Sequence, residues 1–587
     1  MRQLGLRVAL AALCLALVAC SSSAQAEDPA FEAFIDRYLE EVRGVGATQA
    51  PSEMSAESFN RQLETKRRFL SELGEFNRSA LSFDQDIDYR FLESILRADI
   101  HWEENVQRWR QDPETYMPTR STIYTLTSDI RAPAERARDL IADLEILQVR
   151  LANGKQNVDE YIDRWVARTL ENLDGFVLSL STNLPEFAAR LSQPLRGELE
   201  DENARALAAL RDYRQFLTDE LPTRPAGDWR VGEDVFNAQH ELRYMFSEDD
   251  IHLRRIARGA PSFSRVPNYH DWGWKQFNIV RQHLEVKARQ IDPTRTWLEI
   301  IHREKDDHFF NEQLVYEHHK ILRRTRDWVI DNDLVTIPWD DDDHIMVAGD
   351  PSLWAAQWWG FAGTVPAGSP SRKSGWTVIP VNPDWPDYIA EGNLREKDPS
   401  FAYVIAPHEG YPGHHLQRLY ANENPRRLRV YESSYSNQAW CYYIEWELTP
   451  DPQYGWFPED KQDVYELEYL RAKLWRFGRV IIDSGLHTGR MSYDDAINLE
   501  TNVIGFVPRG AQINIDGITA GGSRTSAPTL GYFEFMLLRE DYFQKMRELD
   551  QRGELKDFHD RIYRIGWLPV SLIREALFHE LEQEFGA

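Results

Sequence analysis

His408 and Glu409, followed closely by His414 and His415, are the side chains whose types and spacing bear most directly on chemistry. They lie in Pro407-His408-Glu409-Gly410-Tyr411-Pro412-Gly413-His414-His415-Leu416-Gln417. Neutral imidazoles bind zinc, and a carboxylate beside one of them can take a proton from water at the metal. In the usual arrangement the second His follows the first by four residues, one helical turn away. Here Pro412 holds that place. On a regular helix His414 would stand about 9 Å along and about 120° around from His408, and His415 about 10 Å along. Two nitrogens on one zinc are only about 3–4 Å apart. A straight helix therefore cannot join His408 to either residue. A metal site requires the chain to bulge or break, and Pro412-Gly413 is a place where it can. On spacing alone, a polar helix face accounts for the same residues equally well.

Two further segments accompany this one. Trp440, Tyr443 and Glu445 lie in Gln438-Ala439-Trp440-Cys441-Tyr442-Tyr443-Ile444-Glu445, and Arg479-Val480-Ile481-Ile482-Asp483-Ser484-Gly485-Leu486-His487 follows. With these motifs in this order, roughly residues 295–587 resemble the bacterial domain-of-unknown-function family DUF 885. That family is a branch of the HExxH-type metallopeptidase group with two residues inserted in the motif. The resemblance implies zinc held by His408 and His414, with Glu409 as general base and a peptide or related amide as substrate. By the same resemblance His487 donates to the substrate carbonyl rather than being a satisfied His at a helix end. Asp483, four residues earlier on the same helical face, would fix its tautomer.

The chain also departs from the family. Where the family reads Glu-Gly-Trp-Ala-Leu-Tyr-Ala-Glu, with its first Glu the third ligand, this chain has Gln438, which offers a neutral carbonyl oxygen. Glu445 shares a helical face with Gln438 but lies about 10 Å away, which suits an outer partner of the ligands or an acid on the cleft wall. His415 is expected to be structural or to support a ligand. Pro528 stands where the family has Tyr, which leaves Tyr532 or His487 to steady an oxyanion.

These residues need a body to position them, and 587 residues are too many for one ordinary core. Apolar residues recur three and four apart through Phe31, Phe34, Ile35, Tyr38 and Leu39, and again through Leu140, Ile141, Leu144 and Leu147, which predicts helices. Helical stretches are also expected over Thr296–Arg303 and Asn311–Asp331, and from about Ala402 onward. His344–Val347 and Trp376–Val381 read as short strands. Gly505–Gly531 reads as a loop near the cleft, and Asp340–Asp343 as a solvated turn rather than a Ca²⁺ site. Trp354, Trp358, Trp359, Trp376 and Trp385 read as packing before a sugar platform. The expected fold is mainly α: a two-lobed helical, zinc-metallopeptidase-like body with a small mixed or antiparallel sheet near the cleft. Residues 31–292 would form an N-terminal helical lobe and 293–587 the catalytic lobe. In metallopeptidases of this general kind such a sheet edge can hold extended peptide.

At the N-terminus, Arg2 and Arg7 precede the apolar run Val8–Ala19, shorter than the about 20 residues a membrane span needs. The run ends in Leu17-Val18-Ala19-Cys20 before Ser21-Ser22-Ser23, which resembles a bacterial lipobox. Residues 1–19 are then a lipoprotein signal peptide, Cys20 the lipidated residue and 20–30 a tether. The alternative is an ordinary secretory peptide with an incidental Cys. The protein would be lipid-anchored on the periplasmic side of a bacterial envelope and touch the membrane through that anchor alone. Ser21 favours the outer membrane by resemblance to sorting rules. Of the three Cys only Cys441 then remains, so neither a disulfide nor a thiolate metal cluster is expected. A net charge of −27 repels phosphate backbones and excludes nucleic acid as a partner. The functional expectation is a zinc-dependent peptidase or amide hydrolase of the cell envelope. Its rival is a metal-poor binding or scaffold lipoprotein, for which Gln438 speaks most directly. A glycan-cleaving enzyme is a weaker third reading.

Overall fold

The computed structural model describes residues 26–45, 53–118, 120–127, 131–246, 268–350, 353–354, 357–363 and 365–586. The expected leader and Cys20 lie outside these described residues. The chain is mainly helical, and its apolar periodicity finds its partners in two cores. In the helix Pro29–Glu41, Phe31, Phe34, Ile35, Tyr38 and Leu39 are all buried. In the helix Pro133–Asn157, Leu140, Leu144 and Leu147 are buried. Both stretches form helices because one stripe of each is apolar and has a neighbour to cover it.

The cores do not divide at Asp292-Pro293, where a lobe boundary was expected. The smaller core takes residues from Tyr116 to Leu221, while Phe31–Leu96 and Trp229–Ala288 share the larger core with the C-terminal half. Helix α1 (Asn268–Ile291) packs along the later helix Gln462–His487. A Cβ on Gly273 would lie 3.2 Å from both Ile481 and Val480. The Asp292-Pro293 break is a turn, closed by Asp292 Oδ1 accepting from the Thr294 amide at 2.9 Å. The change of composition there marks that turn rather than the end of a core.

Helix α2 (Leu314–Asp331) leads into the sheet. Strands β1 (His344–Ala348), β2 (Gly360–Gly363) and β3 (Ser374–Val378) lie in the order β1-β3-β2. β1 pairs parallel with β3, His344 opposite Ser374, and β2 pairs antiparallel with β3. The sheet is therefore mixed. β3 stops before Pro380, which has no N–H for a ladder. Strand β2 has glycine at both ends and no alternating pattern to betray it.

Beyond the sheet come α3 (Pro399–Glu409), α4 (His414–Asn422), α5 (Ser436–Tyr443), α6 (Gln462–His487), α7 (Pro508–Gly521) and α8 (Ala527–Glu548). The last two replace the loop expected over Gly505–Gly531. Pro508 stands in the first turn of α7, and Ala511, Ile515 and Ile518 bury one helical face. Gly510 there serves close packing: a Cβ on it would lie 2.8 Å from the Trp358 indole nitrogen. What remains as loop is 505–507 and 522–526, the second beginning with positive φ at Gly522 and Ser523. Among the described residues no helix is long and apolar enough to cross a membrane.

Candidate metal centre

Helix α3 begins at a side-chain cap, Asp398 accepting from the Ser400 amide at 3.1 Å, with Pro399 in its first turn. From Ser400 to Glu409 every residue is buried, so the helix runs through the large core and ends on its two polar residues, His408 and Glu409. The chain then breaks over Gly410–Gly413 and restarts as α4 at His414. Tyr411 pins the break by donating to the Asp342 main-chain oxygen at 2.5 Å. At Gly413 a Cβ would overlap the His408 carbonyl oxygen. Gly413→Ala is therefore expected to destabilise the fold by about 3 kcal/mol or more, a large value for one methyl group. Denaturant unfolding measures it, and an unchanged midpoint would contradict the packing argument.

The break turns His414 back toward His408, and their ring centroids are 4.9 Å apart. Helix α5 supplies Gln438 between them. The Gln438 amide nitrogen lies 2.8 Å from His408 Nε2, and its oxygen 2.9 Å from His414 Nε2. Each ring has an oxygen on its other side. Glu445 Oε1 is 2.5 Å from His408 Nδ1, a close contact outside straight hydrogen-bond geometry. Gln417 Oε1 is 2.9 Å from His414 Nδ1, and that amide is oriented by donating to the Asn437 carbonyl at 2.7 Å. Glu445 reaches His408 because α5 widens into a π-helical turn over Ile444–Leu448. Burial alone would push the Glu445 carboxyl up, but Arg476, 3.2 Å away, and His408 outweigh it and hold the pKa below its ordinary value. Burial, and next the neighbouring His408, bring the His414 imidazole down to about 4, so it is neutral at physiological pH.

This arrangement fits a cation that takes nitrogen ligands. With both Nδ1 atoms facing oxygen acceptors, both Nε2 atoms carry lone pairs, and both face Gln438. The amide N–H satisfies His408, but its oxygen would then face a bare His414 Nε2, and an oxygen cannot supply the missing proton. A cation at the meeting point would turn the two lone pairs and the amide oxygen into ligands. Cys441, which the sequence reading set aside, borders the same place. Its thiol lies 3.5 Å from His414 Nδ1, and ligand atoms of His408, His414 and Cys441 all lie within 4.8 Å of one another. It approaches His414 from the Nδ1 side, away from Gln438, and burial followed by Glu409 and Glu445 raises its pKa, which keeps it a thiol. Its position three residues after Gln438, on the same helical face, was the available signal.

The other expected site residues are not at this centre. His415 is buried, 2.7 Å from Ser374 Oγ and 2.9 Å from the Asp342 oxygen, and ties the sheet to α4. His487 is fully buried between Trp229 and Phe236, with Nε2 2.9 Å from the Ile518 carbonyl. It is not among the residues that line the cavity beside His408. Asp483 is 3.9 Å from His487, and its other oxygen accepts from the amides of Thr525 and Ser526 just before α8. It secures that turn rather than a catalytic tautomer. Tyr532 donates to Glu447 and also stays off the cavity wall.

His408, Glu409, His414, Gln438 and Tyr442 open on a cavity of about 840 Å³. Gly517 and Gly521 of α7 line it without a Cβ to narrow it. Trp358, Trp359 and Trp376 reach its wall, but Trp358 is 1% exposed and donates to Glu396 at 2.6 Å, and Trp376 is 3% exposed, so they pack rather than offer a platform.

The chain resembles two solved bacterial structures in fold. One, a "putative lipoprotein of unknown function" from Shewanella oneidensis, is 18% identical with a TM-score of 0.69, covering 93% of this chain and 98% of its own. The other, a "putative lipoprotein" from Colwellia psychrerythraea, is 14% identical with a TM-score of 0.72, covering 94% and 99%. No curated protein matches the chain. The model of one family spans residues 41–577, nearly the whole of both cores, and the chain belongs to that family, the bacterial proteins of unknown function DUF885.

Proposed function

We propose that this chain is a zinc-dependent peptidase or related amide hydrolase of the bacterial cell envelope. The observation that carries the reading is that His408 Nε2 and His414 Nε2 both face the one Gln438 amide, beside Glu409 and on the wall of a cavity. A zinc ion there would lend Lewis acidity to an amide carbonyl and make a neighbouring water more acidic. Glu409 takes the proton from that water and returns it to the leaving amine. Glu445 and Gln417 hold the two imidazoles in the tautomers that leave Nε2 free. We assign the steadying of an oxyanion to Tyr442, its ring 5.9 Å from that of His408, and to Arg476 stacked on it. The deciding experiment is elemental analysis of protein purified without chelator, with turnover of a mixed peptide library. One zinc per chain and peptide cleavage are expected.

A second reading has its own observation. Gln438 bridges both His in the place where a carboxylate would complete the ligands, as in a member kept for binding or scaffolding. Absence of zinc after incubation with the metal would favour it over the enzyme.

For location, the proposal is a lipid anchor at Cys20 holding the protein on the periplasmic face, at the outer membrane. The lipobox-like sequence supports it, and so do the lipoprotein descriptions of the two similar structures. Cys20→Ser is expected to abolish incorporation of a fatty-acid probe. Equal labelling of the variant and wild type would overturn the anchor.

A further inference from the structure

The charge of the cavity is opposite to that of the protein. The chain carries a net −27, yet among the described residues the cavity wall presents Arg243, Arg418, Arg476, Arg479 and Arg524 against one carboxylate, Glu409. Two of these arginines are matched elsewhere, Arg243 by Asp99 and Arg476 by Glu445. For Arg418, Arg479 and Arg524 no carboxylate lies within ion-pair distance among the described residues. Arg418 donates at 2.9 Å to the Val430 carbonyl, and Arg524 is exposed.

Arg479 is the most telling. It stacks on Trp475, its guanidinium carbon 4.0 Å from the ring centroid. Its hydrogen bonds are long, 3.4 Å to Tyr442 Oη and 3.2 Å to Asn514 Oδ1, and its Nε is buried with no partner. The nearby Glu500 does not supply the missing charge, because burial raises its pKa to about 8 and its oxygen already accepts from Trp475 Nε1. Burial also depresses the guanidinium pKa values of Arg418 and Arg479, as expected for cations lacking an anion. A half-buried fork of donors with a full charge and, among the described residues, no carboxylate within ion-pair distance is costly to the empty protein and is relieved by a bound carboxylate.

Tyr442 links Arg479 to the His408 side of the cavity, its hydroxyl accepting from Arg479 and its ring 5.9 Å from that of His408. A carboxylate one to three residues beyond a cleaved bond lies about 4–11 Å from it, a reach of that order. We propose that the cavity selects acidic peptides with a carboxylate near the cleaved bond, and that Arg479, with Arg418 and Arg524 around the same space, determines that choice. The selection rests on the hydrolase reading for its purpose, but binding can be read without turnover or metal.

Three probes separate the two sources of a carboxylate: N-acetyl-trialanine with a free C-terminus, the same peptide as its C-terminal amide, and the amide of N-acetyl-Ala-Glu-Ala. Calorimetric titration uses the Glu409→Gln protein so that no probe is consumed. At least one acidic probe is expected to bind about tenfold or more tightly than the neutral amide, and which one does so names the source. Arg479→Gln added to that protein should erase the preference, and Arg479→Lys should keep part of it, because the charge remains and the fork is lost. Equal affinity for all three probes, including no measurable binding by any, would overturn the proposal without recourse to a variant. An undiminished preference in a folded Arg479→Gln protein would overturn it as well. A clear preference in a chain that cleaves nothing would uphold the selection and reject the hydrolase.

Discussion

Glu409→Gln is expected to keep its zinc and lose about 10²–10⁴-fold in turnover, the usual contribution of a positioned general base. Glu409 is the last residue of α3, adjacent to His408, and it faces the cavity while remaining only 7% exposed. The substitution exchanges an oxygen for an NH₂ group of nearly the same size, so packing against the rest of α3 is retained. What is lost is the ability to accept a proton, since an amide is not a base at neutral pH. The meeting point of His408 and His414 is made without Glu409, and metal content should therefore stay level. His408→Ala should lose metal and turnover together. It also leaves Glu445, fully buried, facing a hole on one side with Arg476 as its remaining neighbour. Zinc per chain by elemental analysis and cleavage of a peptide library give both readouts. A Glu409→Gln protein as active as wild type would remove the base from the mechanism, and a His408→Ala protein that kept its zinc would remove the centre.

Much of the fold was legible because it depends on local periodicity. The stripe through Phe31, Phe34, Ile35, Tyr38 and Leu39 is buried, as its spacing requires. The break before His414 was expected only on condition that His408 and His414 serve one ion, since no straight helix joins two residues six apart there, and the chain does break between them. Features that depend on distant partners were not legible. The lobe boundary placed at residue 292 failed because α1 finds its partner in α6, almost two hundred residues later, and nothing in a local composition change reports that pairing. Gly505–Gly531 was misread because glycine lowers helix propensity, whereas here Gly510 and Gly531 are needed where Trp358 and Tyr435 approach the helices. His487 was assigned to the centre on motif order, yet the fold carries that end of α6 under Trp229 and Phe236. Arg479, eight residues earlier on the same helix, reaches the cavity together with Trp475 and Arg476. Its proposed importance comes from having no carboxylate within ion-pair distance among the described residues, which only the assembled wall reveals.

Gln438→Glu should tighten zinc binding by at least about tenfold, a gain of about 1.4 kcal/mol, and raise whatever cleavage the wild type shows. The side chain already lies 2.8 Å from His408 Nε2 and 2.9 Å from His414 Nε2, so a carboxylate of the same length needs no movement of α5 to reach a shared ion. It would bring a full negative charge beside a divalent cation in a half-buried site, where such attraction is screened less than in open water. It would also remove the amide N–H that now satisfies His408. Without metal the variant thus holds a carboxylate between two neutral rings, with Glu409 and Glu445 close by, and the empty state should become less stable. Both effects act in the same direction: the full site gains and the empty one loses. A competition titration of both proteins against a chromophoric chelator measures the difference, with peptide turnover followed in parallel. Tight zinc in wild type with no gain in the variant would mean that the amide oxygen or Cys441 already completes the ligands. Zinc in neither protein would leave His408, Gln438 and His414 as a hydrogen-bonded cluster at the base of a binding cavity, and the arginines above it as the groups that carry function.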